Sequence, residues 1–332
     1  MARSAERSND RSTASAVFNQ AALLASDLGL PDLARDWCHR HADIYLRMRP
    51  LDGTAARHAL EPLVNLVRLR IRAGDGADAF EMLNSLYEAV ATSTDTVIDG
   101  LPVPVSELTT TTADDHGELL RWLWTVHLAD GTRALTAAGR WQDALDHLRH
   151  RNGIGQRMLD GRQVAVIAHT VACDLVTARE LLEATQPSEP WEDAVTACLA
   201  ALCRPGRSSG EVLSVMLDRY QRLDHAAPGL VVFRTRLGLS VIDAIGGIGC
   251  PQGRAVADAL IAGVVTSQNG YAARELLRRP GFATSLGEND SVALTHILHL
   301  SGLECGRLPE ALMSKLGAAL ANSSSLIASS SL

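Results

Sequence analysis

Lysine occurs once in the 332-residue chain, at Lys315, and aromatic residues make up only 4% of it. Against that lysine stand 30 arginines (31 basic residues less one), a ratio that fits the coding bias of a GC-rich genome of actinobacterial type. Net positive charge is lacking: the formal charge is −7 and the isoelectric point about 5.9, which argues against a nucleic-acid-binding surface as the main business. Six cysteines (Cys38, Cys173, Cys198, Cys203, Cys250 and Cys305) form no CxxC pair. Scattered through apolar helical stretches, they read as buried free thiols in a reducing compartment. The opening MARSAERSNDRS is polar with no apolar run behind it, so no secretory signal is read there. No window approaches the uncharged apolar length that spans a bilayer. The expectation is a cytoplasmic protein with neither membrane nor direct nucleic-acid partners.

What is present is a hydrophobic content of 46%, which marks a globular chain rather than a disordered one. The length suits one large helical array or two ordinary domains. Residues 1–13 read as a disordered tail and 322–332, NSSSLIASSSL, as a flexible one. Between them almost everything has a 3.6-residue period. Helices are predicted at about 14–28, 31–49, 54–73, 76–92, 115–138, 141–151, 162–185, 190–204, 210–224, 229–246, 252–267, 270–278, 290–304 and 308–321. Pro31 suits a first helical turn, and Asp115 with Glu118 suits a capping box. The stretch TDTVIDGLPVPVSEL, 94–108, breaks the pattern: Asp99-Gly100 between β-branched runs predicts a small hairpin, confined to an edge by Pro102 and Pro104. TQPSEP, 185–190, marks a boundary between helical regions 14–185 and 190–321.

One step recurs. A glycine is followed five residues later by alanine at Gly29/Ala34, Gly74/Ala79, Gly139/Ala144 and Gly306/Ala311. Each copy follows one amphipathic helix and begins another. Glycine in the left-handed conformation closes the first helix, and the small alanine lets the second pack closely. At Gly139, Trp141, Ala144 and Leu148, and more loosely at Gly29, Pro31 and Ala34, the step resembles the tetratricopeptide repeat. The repeat length of that family is not kept, and its closing proline is missing. The resemblance implies an all-α fold, an irregular tetratricopeptide-like α-solenoid of helical hairpins. The chain is also similar to the sensor part of bacterial helix-turn-helix regulators, which implies ligand-responsive regulation. Its repeats begin near residue 15, so the expectation is a sensor without the DNA-binding domain, or one that uses a partner's.

In such an array the first helix of each hairpin lines a concave groove. On that geometry the inward positions are Asn19, Gln20 and Asp27, then Asn65, Arg68 and Arg72, then Asp130 and Arg133. Asparagine grips a peptide backbone through donor and acceptor together, and arginine forks a carboxylate. The candidate ligand-binding set is therefore Asn19, Asn65, Arg68, Arg72, Asp130 and Arg133; the competing reading is a solvated helix face. Arg68 and Arg72, at i and i+4, repel unless a carboxylate answers them. Glu61 or Asp130 could do so internally, and an acidic ligand group could do so functionally.

Other constellations carry less. His147/His150 and His296/His299 each share a helix face, but neither pair has a third ligand at helical spacing, so no metal is expected. GGIGCPQGRAVADAL, 246–260, follows a helical pattern rather than a strand, and so reads as a helix–helix corner and not a dinucleotide loop. NGIG, 152–155, reads likewise. Trp122 and Trp124 point to different sides, one toward the core. No GxSxG, HExxH or P-loop is present. Two functions remain. One is a non-catalytic, cofactor-free module, regulatory or interacting, that binds a peptide, protein segment or small effector and is compatible with a homodimer. The alternative is an enzyme of bacterial specialised metabolism with a pocket between helices, with 94–108 as a lid and WCHRHAD and MLDGRQ as polar runs lacking a packing reason.

Overall fold

The computed structural model describes residues 10–109, 113–186, 188–204, 210–223 and 228–329. Those residues form fifteen α-helices and one two-stranded hairpin, so the fold is all-α. Among the described residues no helix is long and apolar enough to cross a membrane. The chain divides into two compact units, 1–147 with 304–332 and 148–303; the boundary read at 185–190 includes Pro187, which lies outside the described residues.

The first unit starts with α1 (Arg11–Asp27), whose N-terminus is capped by the Asp10 side chain accepting from the N–H groups of Ser12 and Thr13. That cap brings residues 10–13 into ordered structure and corrects their reading as a disordered tail; residues 1–9 lie outside the described residues. Then follow α2 (Pro31–Leu46), α3 (Gly53–Ala73), α4 (Gly76–Thr92), α5 (Ala113–Ala137) and α6 (Trp141–His150), whose last three residues are counted in the second unit. Helix α5 starts before Asp115, so Asp114 and Asp115 sit in its first turn and the capping box is not formed at 115. The repeated step works as its chemistry demands in three copies. Gly29, Gly74 and Gly139 have φ of +78°, +91° and +72°, and Ala34, Ala79 and Ala144 are completely buried. A β-carbon on Gly76 would collide with the Ala134 carbonyl, a measure of how closely α4 lies on α5. In the fourth copy Gly306 also has positive φ, but Ala311 is exposed and the following helix has another partner.

That helix, α15 (Glu310–Ser329), packs on α1 and α2 and buries Leu320, Ser323 and Ile327. Residues 322–329 are therefore helix, not flexible tail. Two of their serines turn hydroxyls back to the preceding turn (Ser324 Oγ to Leu320 O, 2.7 Å; Ser325 Oγ to Ala321 O, 3.2 Å), which satisfies the hydroxyls within the helix. The core of this unit is built around Phe18, Tyr45, Leu60, Leu63, Leu83 and Leu123.

The predicted hairpin is present as β1 (Thr96–Ile98) and β2 (Leu101–Val103), antiparallel with Ile98 opposite Leu101. Asp99 and Gly100, at φ +51° and +81°, supply the two left-handed residues of its turn. It is fastened rather than lid-like. Ile98 and Val103 are buried, and the buried Asp99 carboxylate accepts from Arg35 Nε, His39 Nε2 (2.9 Å) and Arg70 Nη2 (3.0 Å). Burial raises the Asp99 pKa, but these three donors outweigh it and hold it down at about 2. His39 of the WCHRHAD run thus has a packing reason.

The second unit comprises α7 (Asp160–Val171), α8 (Leu175–Glu183), α9 (Pro190–Leu202), α10 (Gly210–Gln221), α11 (Val231–Ile245), α12 (Pro251–Ser267), α13 (Gly270–Arg278) and α14 (Glu288–Ser301). The single helix expected at 162–185 is two. Cys173 takes φ +60°, and Asp174 caps the new helix by accepting from Thr177 N–H. In the MLDGRQ run, buried Arg162 donates to the carbonyls of Gly155 and Leu181 and to Thr185 Oγ1, tying α7 to α8. Gly246 and Gly247, at φ +102° and +101°, turn α11 into α12, so 246–260 is the helix corner that the sequence suggests.

Candidate functional site

Helix α3 carries two faces. Leu60, Leu63 and Val67 point into the core, fully buried. On another stripe, spaced by three or four residues, stand Arg57, Glu61, Asn65, Arg68 and Arg72. This stripe faces a cavity of about 560 Å³. Helix α1 adds Asn19, Gln20, Leu23 and Ser26 to its walls, and α5 adds Trp122, Val126 and Arg133. Five of the six residues expected to bind a ligand, Asn19, Asn65, Arg68, Arg72 and Arg133, line this one space. The sixth, Asp130, lies behind the wall, only 2% exposed.

A chain of hydrogen bonds runs along the wall. Asn19 Nδ2 donates to Glu61 (3.3 Å), Asn65 Nδ2 to Asn19 Oδ1 (3.0 Å), and Arg68 Nη1 to Asn65 Oδ1 (3.3 Å). The Asp130 carboxylate accepts from Arg68 Nε (2.9 Å) and Arg133 Nη1 (2.8 Å). Arg72 Nη1 reaches Asp27 (2.8 Å) and Ser26 Oγ (2.9 Å). The repulsion between Arg68 and Arg72 is thus answered internally, by Asp130 and Asp27 and not by Glu61. The buried carboxylates orient the guanidinium groups, whose side chains stay 49%, 47% and 58% exposed for Arg68, Arg72 and Arg133. A guanidinium has five N–H donors in a fixed fork, so N–H groups remain for a further acceptor.

At the other end the Arg57 guanidinium lies over the Trp122 ring, 5.3 Å from its centroid, a cation–π contact. Trp122 is half-buried and Trp124 is at the surface. Leu23, 49% exposed, gives the cavity an apolar wall. Arg57, Leu23 and Ser26 were absent from the sequence-based set. Arg57 was within reach of it, since it stands one turn before Glu61 on the same stripe.

Glu61 also meets His58 Nδ1 (3.3 Å), and His58 Nε2 meets Ser12 Oγ (3.2 Å). The order carboxylate–imidazole–hydroxyl is that of a nucleophile relay. However, the N–H groups of Ser12 and Thr13 are taken by the Asp10 carboxylate, which puts negative charge where an oxyanion would need donors. The three residues act as a clasp between α1 and α3.

Among the described residues no group of three or more His, Cys, Asp or Glu is placed to hold a metal ion. Cys38 borders the cavity floor, but burial pushes its thiol up to about 12, so it stays protonated and unreactive. The chain matches no family model, no curated protein and no solved structure.

Proposed function

We propose that the chain is a non-catalytic binding module, an irregular tetratricopeptide-like array whose α1–α3–α5 cavity takes a carboxylate-bearing peptide or small effector. The observation that carries this reading is the convergence on one cavity of four half-exposed arginines with an apolar wall. Arg57, Arg68, Arg72 and Arg133 face Glu61, Asp27 and Asp130, so four positive charges less three negative leave a surplus of one. A ligand carboxylate would neutralise that surplus and accept from the outward N–H groups of Arg68, Arg72 and Arg133 as charge-assisted bonds. Leu23 and Trp122 would cover its hydrocarbon part.

The test is affinity selection from two random decapeptide pools, one with free C-terminal carboxylates and one with C-terminal amides. The native protein should retain members of the acid pool and few of the amide pool. Arg68→Gln/Arg72→Gln should lose that retention when read below its own melting temperature: glutamine can replace Arg68 Nε toward Asp130 but falls short of Asp27, which Arg72 holds through Nη1, so the variant also melts earlier. Equal retention of both pools, or undiminished retention by the double variant, would sink the reading.

A further inference from the structure

Arg68, Arg72 and Arg133 occupy one end of the α3 stripe, and the other end carries the anion Glu61 with Arg57 beside it. Glu61 lines the cavity with 21% of its side chain exposed. Its three contacts, Arg57 Nε, His58 Nδ1 and Asn19 Nδ2, are all at 3.3 Å, near the long limit for a hydrogen bond. A carboxylate has about four lone-pair sites, so Glu61 is under-used where it faces the cavity. Burial pushes its pKa up, but the His58 hydrogen bond and the neighbouring Arg57 guanidinium outweigh that and hold the carboxyl below its ordinary value. The wall therefore reads anion, amide, amide, cation through Glu61, Asn19, Asn65 and Arg68.

We infer that the cavity selects a zwitterionic ligand, a short free peptide of about three residues, with its ammonium group on Glu61 and its carboxylate on Arg68 and Arg72. The inference rests on the carboxylate-binding reading above and adds the second terminus and the length. Seven residues separate Glu61 from Arg68 on α3, about 10 Å of rise at 1.5 Å per residue. An extended tripeptide spans about 10 Å between its termini. The amides of Asn19 and Asn65 lie between the two charged ends, each using one donor and one acceptor in the wall. Each keeps a second N–H and a second lone pair, the complement of a peptide backbone. Leu23 and Trp122 favour an apolar side chain on the ligand.

The experiment uses the full chain and pooled tripeptides built from alanine, leucine, phenylalanine and serine. The pools are prepared with both termini free, N-acetylated, or C-amidated, and retention is read by mass spectrometry beside the acid decapeptide pool. Free tripeptides should be retained at least about tenfold better than either capped form. Glu61→Gln should abolish the preference for a free amino terminus while keeping the preference for a free carboxylate, which a variant that merely misfolded would not do. Equal retention of N-acetylated and free tripeptides would overturn the ammonium site and leave the carboxylate reading standing. Retention of acid decapeptides with no tripeptide retained would likewise overturn the inference alone. Retention of no pool would overturn both.

Discussion

His41 is the most telling buried group in the first unit, and its consequence is a pH dependence that one substitution should remove. The ring stacks on Phe18 with centroids 4.8 Å apart and planes 11° from parallel, and it tilts against Tyr45. Only 1% of the residue is exposed, and Nε2 has no hydrogen-bond partner. Burial lowers its pKa from 6.5 to about 3, with the nearby Glu61 opposing weakly. The unfolded chain therefore binds a proton near pH 6.5 that the folded chain refuses until about pH 3. Stability from this residue is complete above pH 6.5 and is lost as pH falls toward 3. Between pH 7.5 and 5 the loss is about 2 kcal/mol, and it approaches about 5 kcal/mol below pH 3, at 1.36 kcal/mol per pKa unit. His41→Leu keeps the site apolar and removes the proton. Urea unfolding followed by far-UV circular dichroism at pH 7.5 and 5.0 should show a drop about 2 kcal/mol smaller in the variant. The variant's stability at pH 7.5 is irrelevant, since lost stacking changes the intercept and not the slope. If both proteins lose the same stability between those pH values, the ring is not held neutral and the argument fails.

Two further outcomes follow from buried contacts in the same unit. Ala144→Asp should lose about 3 kcal/mol or more, or fail to fold, because the residue is 0% exposed and an unpaired carboxylate would be buried between helices. Ala144→Ser should cost far less, and thermal melts of the two separate charge burial from crowding. Asp99→Asn should cost about 2 kcal/mol at neutral pH, from a carboxyl pKa of about 2 against 3.8 unfolded. That contribution is present above about pH 4 and lost as pH falls through 2, so the variant and the native chain should converge in acid. Faster proteolysis within 96–103 would show that the hairpin is what has been released.

The helix steps were legible because glycine has one physical use at a helix end: Gly29, Gly74 and Gly139 all take the left-handed conformation. The break at Cys173 was not, because a left-handed cysteine between two apolar helical stretches leaves no glycine or proline to mark it. The helical end of the chain was hidden for another reason. NSSSLIAS, 322–329, has the composition of a loop, and what makes it helix is burial of Leu320 and Ile327 against elements some 300 residues earlier, a tertiary term that no local window contains. In the cavity, the stripe Asn65, Arg68, Arg72 was readable from helical spacing. The assignment of Asp27 to Arg72, and of one Asp130 to two arginines, depends on how helices α1 and α5 flank α3. Spacing along one helix cannot supply that.

The first unit is assembled from both ends of the sequence, with 148–303 leaving and returning between them. This fixes an order of events during synthesis. The stretch 148–303 is contiguous, so every residue of its unit is synthesised before α15. Helix α1, which carries Asn19, Gln20, Leu23 and Ser26 of the cavity wall, must wait for α15, whose Leu320 and Ile327 complete its core. A nascent chain that ends anywhere from Arg133 to the start of α15 thus holds every cavity-lining residue without the helix that braces one of the walls. Binding competence should appear late and abruptly as the chain lengthens, and losing α15 should disable the cavity without touching any residue that lines it.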